Sequence, residues 1–173
     1  MTALLEAFDR QAEKQAAEVI GEPPKSVFQE LRNFLLREAE NHDHQTKQHE
    51  IGGLLKLGQD QRLTKVFLGP SFDKNEPESL SRKPFLLGSG GSLSFGLVLR
   101  ESEGVTHLES ARFQFKSKAD QILRYDVTPQ ARDLLREPRA HYHWSADLRL
   151  PAPILHPRHI LEVIFRIVDP YLS

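Results

Sequence analysis

Residues 141–150 read His-Tyr-His-Trp-Ser-Ala-Asp-Leu-Arg-Leu. In an extended strand successive side chains point to opposite faces. Tyr142, Trp144, Ala146, Leu148 and Leu150 then share one side, and His141, His143, Ser145, Asp147 and Arg149 share the other. The apolar side carries the only tryptophan of the chain and must face a core, so both imidazoles are expected to project into solvent. Two histidines at i and i+2 stand roughly 7 Å apart at the backbone, close enough to act on one phosphodiester or to hold one ion. Imidazole titrates near neutrality, so the pair could take a proton from a 2′-hydroxyl and return one to a leaving oxygen. Arg149 would stabilise the charge developing on phosphate. The alternative is an ordinary polar outer face of an antiparallel sheet.

Upstream, Leu123-Arg-Tyr-Asp126 repeats the two-residue period, with Arg124 and Asp126 on one face and Leu123 and Tyr125 on the other. If this strand pairs with the one containing His141, Asp126 could orient an imidazole and Arg124 could bind phosphate. A plain cross-strand ion pair is the alternative. Other candidates are less specific. His42, Asp43, His44 and His49 offer metal-ligand types, but a single helix face cannot gather them. Gly88-Ser-Gly-Gly91 lacks the Lys-Ser/Thr and following helix of a phosphate loop and reads as a hairpin turn. His156 and His159 flank Pro157, where His156 could cap a helix. Two histidine nitrogens alone make a weak metal site, so neither metal nor cofactor is expected.

Several elements would have to position these residues. Leu4, Leu5, Phe8, Ala12, Ala16, Val19 and Ile20 recur at helical spacing, and Gly21, Pro23 and Pro24 end the pattern. Ser26 with Gln29 reads as a capping box for a second helix with the stripe Val27, Phe28, Leu31, Phe34 and Leu35. The stretch from Ile51 to Gly58 is apolar and glycine-punctuated, a connector into a β-rich part. Strands are expected over 62–68, 93–99, 105–118, 121–127 and 140–150, with a mobile loop at 69–84 and a short helix from Thr128 to Arg136. A closing helix over 157–168 would present Ile160, Leu161, Ile164, Ile167 and Val168. The fold class is therefore α+β: an N-terminal helical pair, an antiparallel sheet of about five strands, and a C-terminal helix packed on the sheet. Residues 1–60 would form the helical region and 61–173 the β-rich domain.

Composition narrows the function. The chain has 173 residues, 23 basic and 24 acidic side chains, and no cysteine. That excludes disulfides, thiolate metal sites and a cysteine nucleophile, and near-zero net charge means that any contact with nucleic acid must be local. No stretch has the length of a membrane span, and a cytoplasmic protein without membrane contact is expected.

The succession Arg-Tyr-Asp, a proline-containing stretch, His-x-His, an arginine and a closing helix resembles the TumE-type toxins of bacterial toxin–antitoxin pairs over residues 123–165. The resemblance implies RNA cleavage and a partner protein that holds the toxin inactive. It marks Arg124, Tyr125, Asp126, His141 and His143, with Arg124 and Tyr125 on the substrate. From residues and resemblance together the expectation is a metal-independent ribonuclease of a toxin or defence system. Its catalytic groups would be His141, His143, Arg149 and Asp126, and its N-terminal helices could mediate homo-oligomerisation. A non-catalytic protein-binding module, serving as subunit or regulator of a larger complex, is the other reading.

Overall fold

The alternation of apolar and polar residues through 92–127 resolves into long antiparallel strands. A computed structural model describes residues 20–41, 43–60, 63–70, 83–129, 139–143 and 149–172. Its strands are β1 (Leu55–Asp60), β2 (Leu63–Leu68), β3 (Phe85–Leu86), β4 (Ser92–Ser102), β5 (Val105–Lys116), β6 (Ile122–Val127), β7 (Ala140–His143) and β8 (Arg149–Pro151). They form one antiparallel sheet in the order β1-β2-β4-β5-β6-β7-β8, with β3 also beside β4. The described residues thus hold eight strands rather than about five.

Each extra strand has a physical reason for being hidden. The connector read at Ile51 to Gly58 is one helical turn, α2 (Ile51–Leu54), running into β1, which is exposed along all but its first residue and so shows no apolar alternation. The sheet accordingly begins inside the stretch assigned to the helical region. The single strand expected at 140–150 is a hairpin: β7 and β8 pair antiparallel, with His143 opposite Arg149. No glycine or proline lies between them to signal a reversal. β3 is only two residues long.

One face of the sheet is the core. Leu93, Phe95, Leu97 and Leu99 of β4 are buried, as are Ala111, Phe113 and Phe115 of β5 and Leu123, Tyr125 and Val127 of β6. Register aligns Phe95, Phe113, Tyr125 and Tyr142 across four strands. Phe95 and Phe113 stack at 4.9 Å, and Tyr125 and Tyr142 meet at 5.0 Å between ring centroids. Such large rings supply much of the apolar area removed from water.

Helices α1 (Pro24–Asn41) and α3 (Pro157–Val163) bury their apolar stripes in the same core, the second continuing through a π-helical turn (Ile164–Val168) into α4 (Asp169–Leu172). Helix α1 starts at Pro24, before the expected cap at Ser26, and the backbone N–H groups of Ser26 and Val27 donate to the Pro23 carbonyl. Proline is favoured in the first helical turn because its missing N–H would have no partner there. The two helices meet where Phe34 and Phe165 cross edge to face at 5.4 Å, with Arg158 over the Phe34 ring at 4.2 Å. Arg166 donates to the buried Glu38 carboxylate beside them. Ile167, expected in the stripe, is 62 % exposed, while Phe165 is buried. The wider π turn shifts the helical phase and brings Phe165 inward instead. The first helix of the expected pair, most of the loop at 69–84, the short helix after Thr128, and Trp144 to Leu148 lie outside the described residues. Among the described residues no helix is long and apolar enough to cross a membrane.

Tyr125 ties the sheet to the closing helix. Its hydroxyl donates to the Pro153 carbonyl at 2.9 Å and accepts from the Leu155 N–H at 3.1 Å. Burial pushes the phenol up, so it stays a donor at any ordinary pH. Tyr125→Phe should keep the ring packing and lose both bonds, lowering unfolding free energy by about 1–3 kcal/mol; an unchanged urea midpoint would show that the tie is dispensable.

Candidate functional site

Directly opposed residues of an antiparallel pair share a face, so the register fixes what lies on the side of the sheet away from the helices. One row runs Ser94, Gln114, Arg124, His143, Arg149, and the next runs Gly96, Arg112, Asp126, His141, Pro151. Strands β6 and β7 are neighbours, with Arg124 opposite His143 and Asp126 opposite His141. The hairpin keeps Arg149 on this face because it lies straight across from His143. Five of the six residues singled out from sequence therefore meet on one patch. Tyr125 does not: it lies on the apolar face at 2 % exposure.

The patch is less open than expected. Asp126, His141 and His143 are 5 %, 4 % and 8 % exposed, which corrects the view that both imidazoles project freely into solvent. The rings lean together to 4.8 Å between centroids, and arginine side chains from β5 and β6 lie against the cluster. Arg112 Nε donates to Asp126 Oδ1 at 3.0 Å. Arg124 Nε stands 3.0 Å from Asp126 Oδ2, at ion-pair distance but not aligned as a hydrogen bond. His143 Nε2 lies 3.2 Å from the same Oδ2, and the terminal nitrogen of Arg124 is 2.9 and 3.2 Å from the two ring nitrogens of His143. Asp126 Oδ2 can accept from the Nε2–H of a neutral ring, and Arg124 then has only the lone pair of Nδ1, its longer contact, as an acceptor.

Burial, followed by the positive charge of Arg124, lowers the His143 pKa from its ordinary value, and Asp126 opposes the shift only in part. His143 is therefore neutral at neutral pH. His156 is also lowered, chiefly by burial. It caps α3, its Nδ1 accepting from the Arg158 N–H at 3.2 Å, a role that needs an unprotonated nitrogen.

Arg112 was not foreseen. It sits between Ala111 and Phe113 in a strand whose alternate residues are apolar, so its parity placed it on the polar face; only the pairing of β5 with β6 put it opposite Asp126. Of the other candidates, His44 is buried edge-on to Phe85 and Phe165, with Nδ1 accepting from the Gly88 N–H. His42 lies outside the described residues. Gly88 to Gly91 form a turn closed by hydrogen bonds between Leu87 and Gly91 and between Gly90 and Leu87.

Asp126, His141 and His143 bring potential ligand atoms within 4.8 Å of one another. The chemistry of the set nevertheless disfavours a cation, because each oxygen of Asp126 already faces a guanidinium group, at 3.0 Å in both cases. With Arg149 beside His143, the patch holds more positive than negative charge and suits an anion. No protein-family model, curated protein or solved structure matches the chain.

Two outcomes follow. For a histidine whose folded pKa lies below its ordinary value of about 6.5, the unfolded chain binds more protons just beneath that pH. Stability is thus fully present above pH 6.5 and falls as pH drops through the window below it. Thermal midpoints should decline from pH 7 to 5, and less steeply in His156→Asn; a flat wild-type profile would refute the assignment. In calorimetric titration the wild type should take up no stoichiometric zinc. The Arg112→Ala/Arg124→Ala variant, with Asp126 released, should gain zinc affinity; tight wild-type binding would reverse the charge argument.

Proposed function

We propose that the protein cleaves RNA without a metal, as a toxin or defence component, using His141 and His143 as the acid–base pair. The observation that supports this best is two imidazoles 4.8 Å apart beside one carboxylate, with Arg112, Arg124 and Arg149 around them. A phosphodiester would replace the imidazole as the partner of Arg124, with Arg149 on a second oxygen. Release of Arg124 leaves the Nδ1 lone pair of His143 free to take the proton of the 2′-hydroxyl. The 2′-oxygen forms a bond to phosphorus, the bond to the 5′-oxygen breaks, and protonated His141 gives its proton to that leaving oxygen. The products are a 2′,3′-cyclic phosphate and a free 5′-hydroxyl. Asp126 is a positioning residue, holding the Nε2 side of His143, and Arg112 holds Asp126.

This reading agrees with what the resemblance to TumE-type toxins implies, including an inhibitory partner protein, for which an acidic surface would complement the arginines. Self-association through the N-terminal helices belongs to the same proposal.

One observation favours the non-catalytic reading. His143, Asp126 and the two arginines already pair with one another, as a network that only locks β6 to β7 would. Kinetics separate the two. His141→Gln and His143→Gln should each lower cleavage roughly a hundredfold or more and remove one limb of a bell-shaped pH profile. Because both rings are buried, each change should also cost about 1–3 kcal/mol, so thermal midpoints must be recorded alongside. Arg149→Ala should weaken rate and phosphate binding, and Arg149→Lys should restore only part of both. A folded His141→Gln/His143→Gln variant with undiminished cleavage would leave the binding-module reading standing.

A further inference from the structure

The strand at each end of an open sheet leaves a row of backbone N–H and C=O groups without a partner strand. Among the described residues those ends are β1 and β8. Edges are usually blunted by brevity, a proline or a bulge. β8 is blunted in this way, with only three residues and Pro151 at its end. β1 is not. Its six residues stay in unbroken register with β2, none of them is proline, and every one after Leu55 is exposed, including Leu57. A further strand can add to such an edge by main-chain hydrogen bonds.

The sequence of the edge, Leu55-Lys-Leu-Gly-Gln-Asp60, indicates which strand fits it. Successive residues of an antiparallel strand turn their backbone groups to opposite sides, and two opposed residues must both turn theirs to the join. Two copies of one strand can therefore pair only about a residue, never about a peptide bond. Centred on Gly58, Lys56 falls opposite Asp60 of the second copy, Asp60 opposite its Lys56, and Leu57 opposite its Gln59. Centred on Leu57, Lys56 meets a glycine and Asp60 has nothing opposite it within β1. The Gly58 register thus matches both charges of the strand. Lys56, Gly58 and Asp60 all lie on the polar face, because Lys56 is opposite Phe67 and Phe67 is opposite Gly96. Opposed side chains there start about 4.5–5.5 Å apart, close enough for an ion pair. Both charges are available for it. Lys56 Nζ reaches the Gly52 carbonyl at 3.4 Å, and among the described residues neither side chain is in an ion pair. Gly58 places no side chain at the axis.

We propose that this edge is a homodimer interface, in which β1 pairs antiparallel with β1 of a second copy of the chain about a twofold axis at Gly58, with two Lys56–Asp60 ion pairs across the join. The surface is separate from the N-terminal helices, and the inference is independent of the cleavage reading. One added strand buries less than the roughly 1,200–2,000 Å² of a stable complex, so the dissociation constant should be on the order of 10–100 μM. Sedimentation equilibrium of the full chain up to about 1 mM covers that range. Lys56→Glu and Asp60→Lys each set like charges opposite one another at both pairs and should weaken the dimer about tenfold. An equimolar mixture of the two variants has opposite charges at both pairs again, and its heterodimer should form within about threefold of the wild-type affinity. Both positions are exposed, so thermal midpoints should stay close to wild type. A check that needs no variant is hydrogen exchange, in which β1 amides turned away from β2 should gain protection as concentration rises. A wild type that stays monomeric throughout would overturn the interface and leave the edge to a strand of a different protein. A dimer that neither reversal weakens, or a mixture that associates no better than its components, would overturn it equally.

Discussion

A carboxylate with 5 % exposure needs cationic or hydrogen-bonding partners on its protein side, because removing it from water without them costs several kcal/mol. Asp126 meets that requirement with three neighbours drawn from three strands: Arg112 of β5, Arg124 of its own strand and His143 of β7. The register of β5, β6 and β7 is fixed twice over as a result. On the apolar face Phe113, Tyr125 and Tyr142 align, and on the polar face Arg112, Asp126 and His141 do. A slip of one residue would send every side chain to the wrong face, placing Asp126 in the aromatic row and Tyr125 among the arginines.

The same constraint shapes the chemistry. Asp126 is shared by two guanidinium groups, so the attraction left over on this patch is for anions. Arg124 touches both Asp126 and His143, and thereby connects charge at the surface with protonation inside it. An anion that draws Arg124 away would change the histidine's surroundings at the moment of binding, which is how a buried network can also serve as a site. Behind the patch, Tyr125 joins β6 to the segment leading into α3, and Arg166 joins the π turn to Glu38 of α1. The first tie joins the sheet to the closing helix, and the second joins the helices to each other.

Much of the patch was legible because strand parity is a strict rule. Numbering alone puts His141 with His143 and Arg124 with Asp126, the pairing of β6 with β7 joins the two pairs on one face, and Arg149 stays on that face because it lies opposite His143. Burial was not legible. Parity separates the faces but does not tell how far long side chains from neighbouring strands fold over a residue, so two histidines expected in solvent are enclosed. Arg112 shows the other limit: an arginine between Ala111 and Phe113 gains meaning only from the strand beside it. The helical stripe failed at Ile167 because a π turn changes the period on which the stripe depends. The eight-strand sheet exceeded expectation where strands were short, exposed, or joined without a glycine or proline.

The central claim is that His141 and His143 transfer protons at a phosphodiester with no metal ion. It is tested most directly by the ends of the product. A defined RNA oligonucleotide incubated with the protein in EDTA, followed by phosphorus NMR and mass spectrometry, should yield a 2′,3′-cyclic phosphate and a free 5′-hydroxyl. An oligonucleotide with a 2′-deoxy sugar at the cleavage position should stay intact, since it lacks the attacking oxygen. Products carrying a 5′-phosphate and a 3′-hydroxyl, or cleavage that EDTA abolishes and a divalent cation restores, would contradict the mechanism.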